Sequence, residues 1–413
     1  MRLNIKKLSV LLIIFCLLAG SLTSISAAEW AMFQGNPRHT GYVQQDASFS
    51  TQTWCVNVGG NIVASPVLYE DMLFVVTTEG SIVALDAQGG NESWSYDTQS
   101  EIVSSPVVYE DTVYTPSCDN YLYANNANDG SLNWKFKAGN SINSTPTVVD
   151  DVIYFGCVDG SVYALNKDDG SVIWEYETED AILSSPVVDN GTLFVGSNDD
   201  RLYALDIDNG SVKWNYTAGD NIQSSPAIAD GKVYFGCNDN QVYALDEQTG
   251  AEVWTYNAES TVTSSPSIDH RQSTVYVTTE KGKVFALDMR DGLKKWDSQF
   301  GSSIDATPTI FGNNIAFTTS AGSVHMLNKF TGNSVWDYNP GYIEGLFAST
   351  SSSPITSGAS LFFATDDGNV YSLDTNQKIG PMSPYTYEII AIFAVIIAIG
   401  VGLKIIINRK KKQ

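Results

Sequence analysis

Apolar and polar positions alternate along this chain in short bursts, and the bursts return every forty residues. In one copy, Ile182-Leu183-Ser184-Ser185-Pro186-Val187-Val188 is apolar and β-branched and is closed by Asp189-Asn190-Gly191. A second run covers 192–197, and Asn198-Asp199-Asp200 follows it as a tight turn. A third run covers 201–206, Asp208-Asn209-Gly210 turns again, and 211–216 alternates apolar with polar. Such runs, with Asn, Asp and Gly at the breaks to supply positive φ, predict four short antiparallel strands per copy. No copy carries an apolar period of helical length.

Tryptophan marks the copies. Trp54, Trp94, Trp134, Trp174, Trp214, Trp254, Trp296 and Trp336 are forty residues apart at every step but one, which is forty-two. A Ser-Pro or Thr-Pro pair keeps the same beat at Pro66, Pro106, Pro146, Pro186, Pro226, Pro266, Pro308 and Pro354. A repeat of this length is one sheet that cannot bury its apolar faces alone. Four-stranded sheets at this period arrange radially as blades, which protects their edges. A β-solenoid is the alternative, but its coils are shorter and neither end here resembles a polar cap. The eighth copy has its proline and its second and third strands but no Trp, while Thr53-Trp54-Cys55-Val56 at the other end is a spare fourth strand. The expectation is therefore an all-β chain: a closed eight-bladed β-propeller of four-stranded antiparallel blades, spanning 51–376, whose N-terminal strand completes the last blade.

Around each Trp the sequence keeps Ala, Asp and Gly at fixed offsets, as in Ala84, Asp86, Gly90, Trp94 and in Ala204, Asp206, Gly210, Trp214. Ala and Gly leave room for a flat ring, and Asp can satisfy turn amides with its side chain. Eight rings wedged between blades would dominate the packing, since each buries about 150–250 Å². An aromatic ligand platform is the competing reading, although a binding site has no need of eight copies. This pattern resembles the tryptophan-docking motif of the pyrroloquinoline-quinone-like propeller repeats, and 30–41 resembles the opening segment of many members. The resemblance implies an eight-bladed propeller. The superfamily holds quinone-dependent dehydrogenases and also non-enzymatic members, such as the propeller lipoprotein of the bacterial outer-membrane assembly machine. The enzymes carry long insertions, adjacent cysteines over the quinone and a set of calcium ligands. This chain has minimal blades and no Cys-Cys pair, so neither cofactor nor dehydrogenase activity is expected of it. Blade two reads Ala124-Asn125-Asn126 where Leu and Asp are expected, which predicts the weakest blade.

The flanks give an address. Residues 1–28 have a basic start, an apolar stretch and small residues ending in Ser26-Ala27-Ala28, the pattern of a secretory signal. A lead-in covers 29–50 and a linker 377–387. Residues 388–407 are almost wholly apolar and Arg409-Lys410-Lys411-Lys412 follow, so 408–413 is expected as a basic cytoplasmic tail behind a transmembrane helix. A sorting tail cleaved after export is the alternative. The expected location is the cell membrane, with a single pass and the propeller outside.

Between those flanks, residues 29–384 carry 15 Lys plus Arg against 45 Asp plus Glu, a difference of 30 negative charges. That excludes nucleic acid, which selects basic surfaces. Sequons stand at Asn91, Asn143, Asn190, Asn209 and Asn215, where turn chemistry alone would also place Asn. His39, His270 and His325 are scattered and show no metal spacing. Cys118 and Cys157 lie in adjacent blades, where either a disulfide or two buried thiols would suit.

Two surface features are candidates for function. The turns between second and third strands carry Glu79, Asp119, Asp159, Asp199, Asp239, Glu280 and Asp366. The loops leading into each blade add Glu101, Glu179, Asp180, Asp220 and Glu259. Both sets fall on one face of a propeller, so that face is expected to be acidic: a surface for a basic partner, or ordinary solvated hairpin chemistry. The second candidate is the loop before Pro354, which is longer than the rest and carries Tyr342, Ile343, Leu346 and Phe347. It would plug the channel or contact a partner. The function expected is a non-catalytic binding or scaffolding module for a protein or envelope partner. A quinone- and calcium-dependent oxidoreductase and a structural envelope component are the alternatives.

Overall fold

The computed structural model describes residues 36–39, 42–43, 49–339, 349–357 and 360–375. The leader, linker, transmembrane and tail expectations, and Tyr342, Ile343, Leu346 and Phe347, lie outside the described residues. Among the described residues no helix is long and apolar enough to cross a membrane.

Eight four-stranded antiparallel sheets follow one another, blade 1 over 67–97 through blade 7 over 309–338. Blade 8 takes its first three strands from 355–375 and its fourth from Phe49–Asn57. That strand runs antiparallel to Asn369–Thr375, with Cys55 opposite Tyr371. The first strands of neighbouring blades touch one another, which makes them the innermost ring. Alternating burial in the fourth strands, as in Val172–Glu177, marks them as the outer rim.

The first strands are shorter than the apolar pattern suggests. In blade 4 only Val187–Asp189 pairs, although the apolar run begins at Ile182. The backbone before it has other partners. Ser184 Oγ accepts the Gly196 amide and donates to its carbonyl, both at 2.8 Å, and Pro186 has no N–H to offer. Ser185 N donates to Ser225 Oγ of the next blade at 2.8 Å.

That last contact belongs to a belt. Each residue before the repeated proline gives its amide to the hydroxyl of the matching residue one blade on. The chain of bonds runs Ser65, Ser105, Thr145, Ser185, Ser225, Ser265, Thr307, Ser353 and back to Ser65, at 2.8–3.3 Å. Eight hydrogen bonds thus close a circle around the channel. Proline at the next position holds its predecessor extended, so the amide faces the neighbour instead of its own sheet.

The tryptophans fill the seams. Trp174 Nε1 donates to the Ile207 carbonyl of blade 4 at 2.8 Å, and its ring lies on Gly210, where an added Cβ would come within 2.7 Å of Cε3. Gly210 has φ +72°, which a side chain would also resist. The same bond, 33 or 35 residues forward, joins Trp54, Trp94, Trp134, Trp214, Trp254 and Trp296 to Ala87, Ala127, Lys167, Glu247, Met289 and Lys329. Trp336 is half-buried and stacks on Tyr338. The turn that would receive it lies outside the described residues. The motif Asp serves the turn as expected, Asp86 accepting the Gln88 and Gly89 amides. In blade 2, Asn126 takes over that task by accepting the Asn128 amide. Asn125 replaces a core Leu, and its buried Oδ1 has no partner.

The lead-in reaches the inner ring. Pro37 O accepts the Val188 amide and Arg38 O the Ile228 amide, adding the segment to the first strands of blades 4 and 5. Arg38 pairs with Asp189 at 2.7 Å. His39 is buried with Nδ1 3.2 Å from the Pro226 carbonyl. Tyr42–Val43 then pairs in parallel with Ile310–Phe311 of blade 7. The described part of the lead-in therefore lies along the inner strands of blades 4, 5 and 7.

Candidate functional site: the acidic loop face

Both acidic loop sets do fall on one face, and they touch. Asp119 accepts the Gln99 amide at 3.1 Å, Asp199 the Glu179 amide at 3.0 Å and Asp239 the Gly219 amide at 3.0 Å. Each links a turn to the loop arriving from the preceding blade. The same carboxylates accept the amide two residues on, at Tyr121, Arg201 and Gln241, and the hydroxyl four residues on, at Tyr123, Tyr203 and Tyr243. Asp159 repeats this with Ser161 N and Tyr163 Oη. Burial first, and then the bond to the neighbouring carboxylate, holds these four tyrosines well above the usual phenol range. A tyrosine that stays protonated is a permanent donor to its aspartate.

Glu79 accepts the Asn61 amide at 2.8 Å, and Asp366 accepts the Ser349 hydroxyl and the Ser351 amide. Glu280 shows only a backbone contact, its amide to the Thr261 carbonyl at 3.3 Å. Six of the seven turn acids therefore fasten loops. The Tyr at the fourth position was the signal for this lock, and it is visible in Asp-x-x-x-Tyr at 119–123, 159–163, 199–203 and 239–243.

The outward charge comes from the loops leading into each blade. Glu101, Glu179, Asp180, Asp220 and Glu259 are all exposed. Glu179 and Glu259 bond Arg201 and Lys283 at 3.0 and 2.8 Å, and Asp180 and Asp220 accept the amides of their following residues. Asp305, on the same face, has its carboxyl raised from the ordinary value by partial desolvation, with nearby Asp366 adding to the shift, although much of the residue stays open to solvent.

The four cysteines of the described residues are free thiols, so no bridge joins Cys118 to Cys157. Burial pushes Cys157 and Cys237 up to about 12, which leaves them inert at neutral pH. His270 pairs with Asp230 and His325 with Asp337, so each histidine is taken up by a different carboxylate. Among the described residues no three His, Cys, Asp or Glu side chains converge as a metal would require. The sequence has no adjacent cysteines, and the described part of the lead-in runs along the inner strands of blades 4, 5 and 7.

The geometry defines a tryptophan-docked, eight-bladed propeller. The family model described as outer membrane protein assembly factor BamB matches residues 40–181, 177–299 and 269–377, and the chain belongs to that family. BamB from Moraxella catarrhalis is similar in structure, at 18% identity and TM-score 0.68, covering 78% of this chain and 99% of that one. Quinohemoprotein alcohol dehydrogenase from Comamonas testosteroni matches at 15% identity and TM-score 0.71, covering 84% and 80%. A computationally designed protein, Ika8, matches at 14% identity and TM-score 0.69, covering 79% and 100%. At these identities the likeness is one of fold. No curated protein matches the sequence.

Proposed function

We propose that the chain is a non-catalytic scaffold, anchored in the membrane by its C-terminal segment, that presents its acidic loop face to a protein or envelope partner outside the cell. One observation carries this reading: six turn carboxylates are spent on locking the loops, so the face is pre-ordered while Glu101, Asp180 and Asp220 point outward. A pre-ordered surface loses little conformational entropy on docking. Its charge favours a basic partner and speeds the encounter. Membership of the BamB-described family supports the scaffold class.

The test is the triple variant Glu101→Lys, Asp180→Lys, Asp220→Lys, none of which touches a turn lock. Partner capture by cross-linking on intact cells should fall at least tenfold with the unfolding midpoint unchanged. Undiminished capture would reject the face as the docking surface. Dye-linked alcohol or sugar oxidation by the purified ectodomain, supplied with pyrroloquinoline quinone and calcium, would reject the non-catalytic reading.

A further inference from the structure

Asn91, Asn143, Asn190, Asn209 and Asn215 each open an Asn-x-Ser/Thr triplet, and the fold divides them by what already holds their side chains. Asn143 and Asn190 are taken up. Asn143 is half-buried, and its Oδ1 accepts the Cys118 thiol at 3.5 Å. Thr145, which ends that triplet, is buried and accepts the Ser105 amide in the belt at 3.2 Å. Asn190 Nδ2 donates to Asp189 at 3.2 Å and to Glu247 of the next blade at 3.1 Å, so a sugar on that nitrogen would displace both bonds. Thr192, which ends its triplet, is buried and accepts the Lys213 ammonium at 3.0 Å. Asn209 Oδ1 accepts the Ser211 amide at 2.9 Å. Asp129 and Asp169 do the same for Ser131 and Ser171 at that repeat position, so turn chemistry accounts for Asn209.

Asn215 has no such account. It lies inside Val212–Thr217, the outermost strand of blade 4, which pairs on one side only. No turn requires an asparagine there, strands disfavour it, and no other blade carries Asn at that place. Asn215 and Thr217 share one face of the strand, opposite half-buried Trp214 and Tyr216, and both are exposed. Asn91 stands directly before Glu92–Asp97, the outermost strand of blade 1. Asn91 and Ser93 are exposed, and Ser93 Oγ reaches only Met72 Sδ, at 3.7 Å. Among the described residues neither the Asn91 nor the Asn215 side chain has a hydrogen-bond partner.

We propose that Asn91 and Asn215 are acceptors for N-linked glycans, so that the rim carries sugar at blades 1 and 4 while Asn143 and Asn190 stay bare. The assignment rests on the placement of the propeller outside the cell. The donor is a lipid-phosphate-linked sugar. The asparagine Nδ2 forms a bond to the anomeric carbon, that carbon's bond to the phosphate oxygen breaks, the lipid phosphate leaves, and Nδ2 gives up a proton to solvent. A bulky, solvated glycan on Asn215 would also cover a strand edge that exposes Val212.

The test uses the full chain from the cells that make it. Intact cells are treated with a membrane-impermeant amine reagent, and the purified chain is mapped by peptide mass spectrometry with electron-transfer fragmentation. Exposed Lys137 reports the placement. Lys137 should be labelled on intact cells, Asn91 and Asn215 should carry sugar masses, and Asn143 and Asn190 should not. Thr217→Val should remove the sugar from Asn215 and Thr217→Ser should keep it, with Asn91 unaffected by either. Ser93→Ala and Ser93→Thr should do the same at Asn91. Bare Asn91 or Asn215 in the surface-labelled chain would overturn the assignment and leave the placement standing. Labelling of Lys137 only after lysis would overturn both. Sugar on Asn143 or Asn190 would overturn the division drawn from the fold.

Discussion

Replacing Trp174 with Ala removes one docked ring and leaves the sheet ladder intact. Trp174 is 7% exposed, its ring lies on Gly210 of the next blade, and Nε1 bonds the Ile207 carbonyl at 2.8 Å. Burial of about 150–250 Å² at roughly 25 cal/mol per Å² sets an upper limit of about 4–6 kcal/mol. Large aromatic-to-alanine changes in cores cost about 3–5 kcal/mol, the range expected here. The freed Ile207 carbonyl keeps a long bond from Tyr154 Oη at 3.4 Å, so little further loss comes from that oxygen. Trp174→Phe retains most of the ring area and loses the indole bond, for about 1 kcal/mol. The assay is equilibrium urea unfolding, read by far-UV circular dichroism and by fluorescence, with coincident traces required before energies are compared. A cost below 1 kcal/mol for Trp174→Ala, or equal costs for Ala and Phe, would refute docking as the main force at the seam.

Three other perturbations follow from particular contacts. Asn125→Leu should stabilise by about 1–3 kcal/mol in the same assay, since it removes a buried amide whose Oδ1 is unpartnered, at a position where the other seven blades carry Leu. Lys329→Met should cost about 3–5 kcal/mol by stranding Asp269, and adding Asp269→Leu should recover most of that loss; an additive double variant would contradict the pairing. Burial lowers the His39 imidazole to about 4 from an ordinary 6.5, the bond to the Pro226 carbonyl opposing it. Above pH 6.5 the ring is neutral in folded and unfolded chains alike, so the anchoring of the lead-in is complete there. It should weaken as pH falls from about 6.5 to about 4, by up to about 3 kcal/mol at roughly 1.4 kcal/mol per unit. Hydrogen-exchange protection of the Val188 and Ile228 amides should drop over that window, and pH-independent protection would count against it.

Much of this architecture is legible in the sequence because repetition exposes it. Forty-residue spacing gave the blades, the missing eighth Trp gave the strand that completes the ring, and turn residues placed both acidic loop sets on one face. What stayed hidden depends on contacts between copies or on segments that do not repeat. Ser185 reads as part of a strand until its amide is seen to reach Ser225, forty residues away; only its constant place before proline hinted at the belt. Asp199 reads as a hairpin residue, yet it ties three groups from two blades. Pro37, Arg38 and His39 belong to no repeat, so nothing in their pattern pointed to the inner strands of blades 4 and 5.

Closure of the ring by the N-terminal strand is the claim on which the rest depends, and native Cys55 offers a direct test. Cys55 stands opposite Tyr371 in the last blade. Directly opposed residues on antiparallel strands have Cβ atoms about 4.5–5.5 Å apart, near the reach of a disulfide. Mild oxidation of the Tyr371→Cys variant, followed by alkylation and peptide mass mapping, should show positions 55 and 371 joined while Cys118, Cys157 and Cys237 remain thiols. A folded variant in which Cys55 stays fully alkylatable would show that the first strand does not complete the last blade.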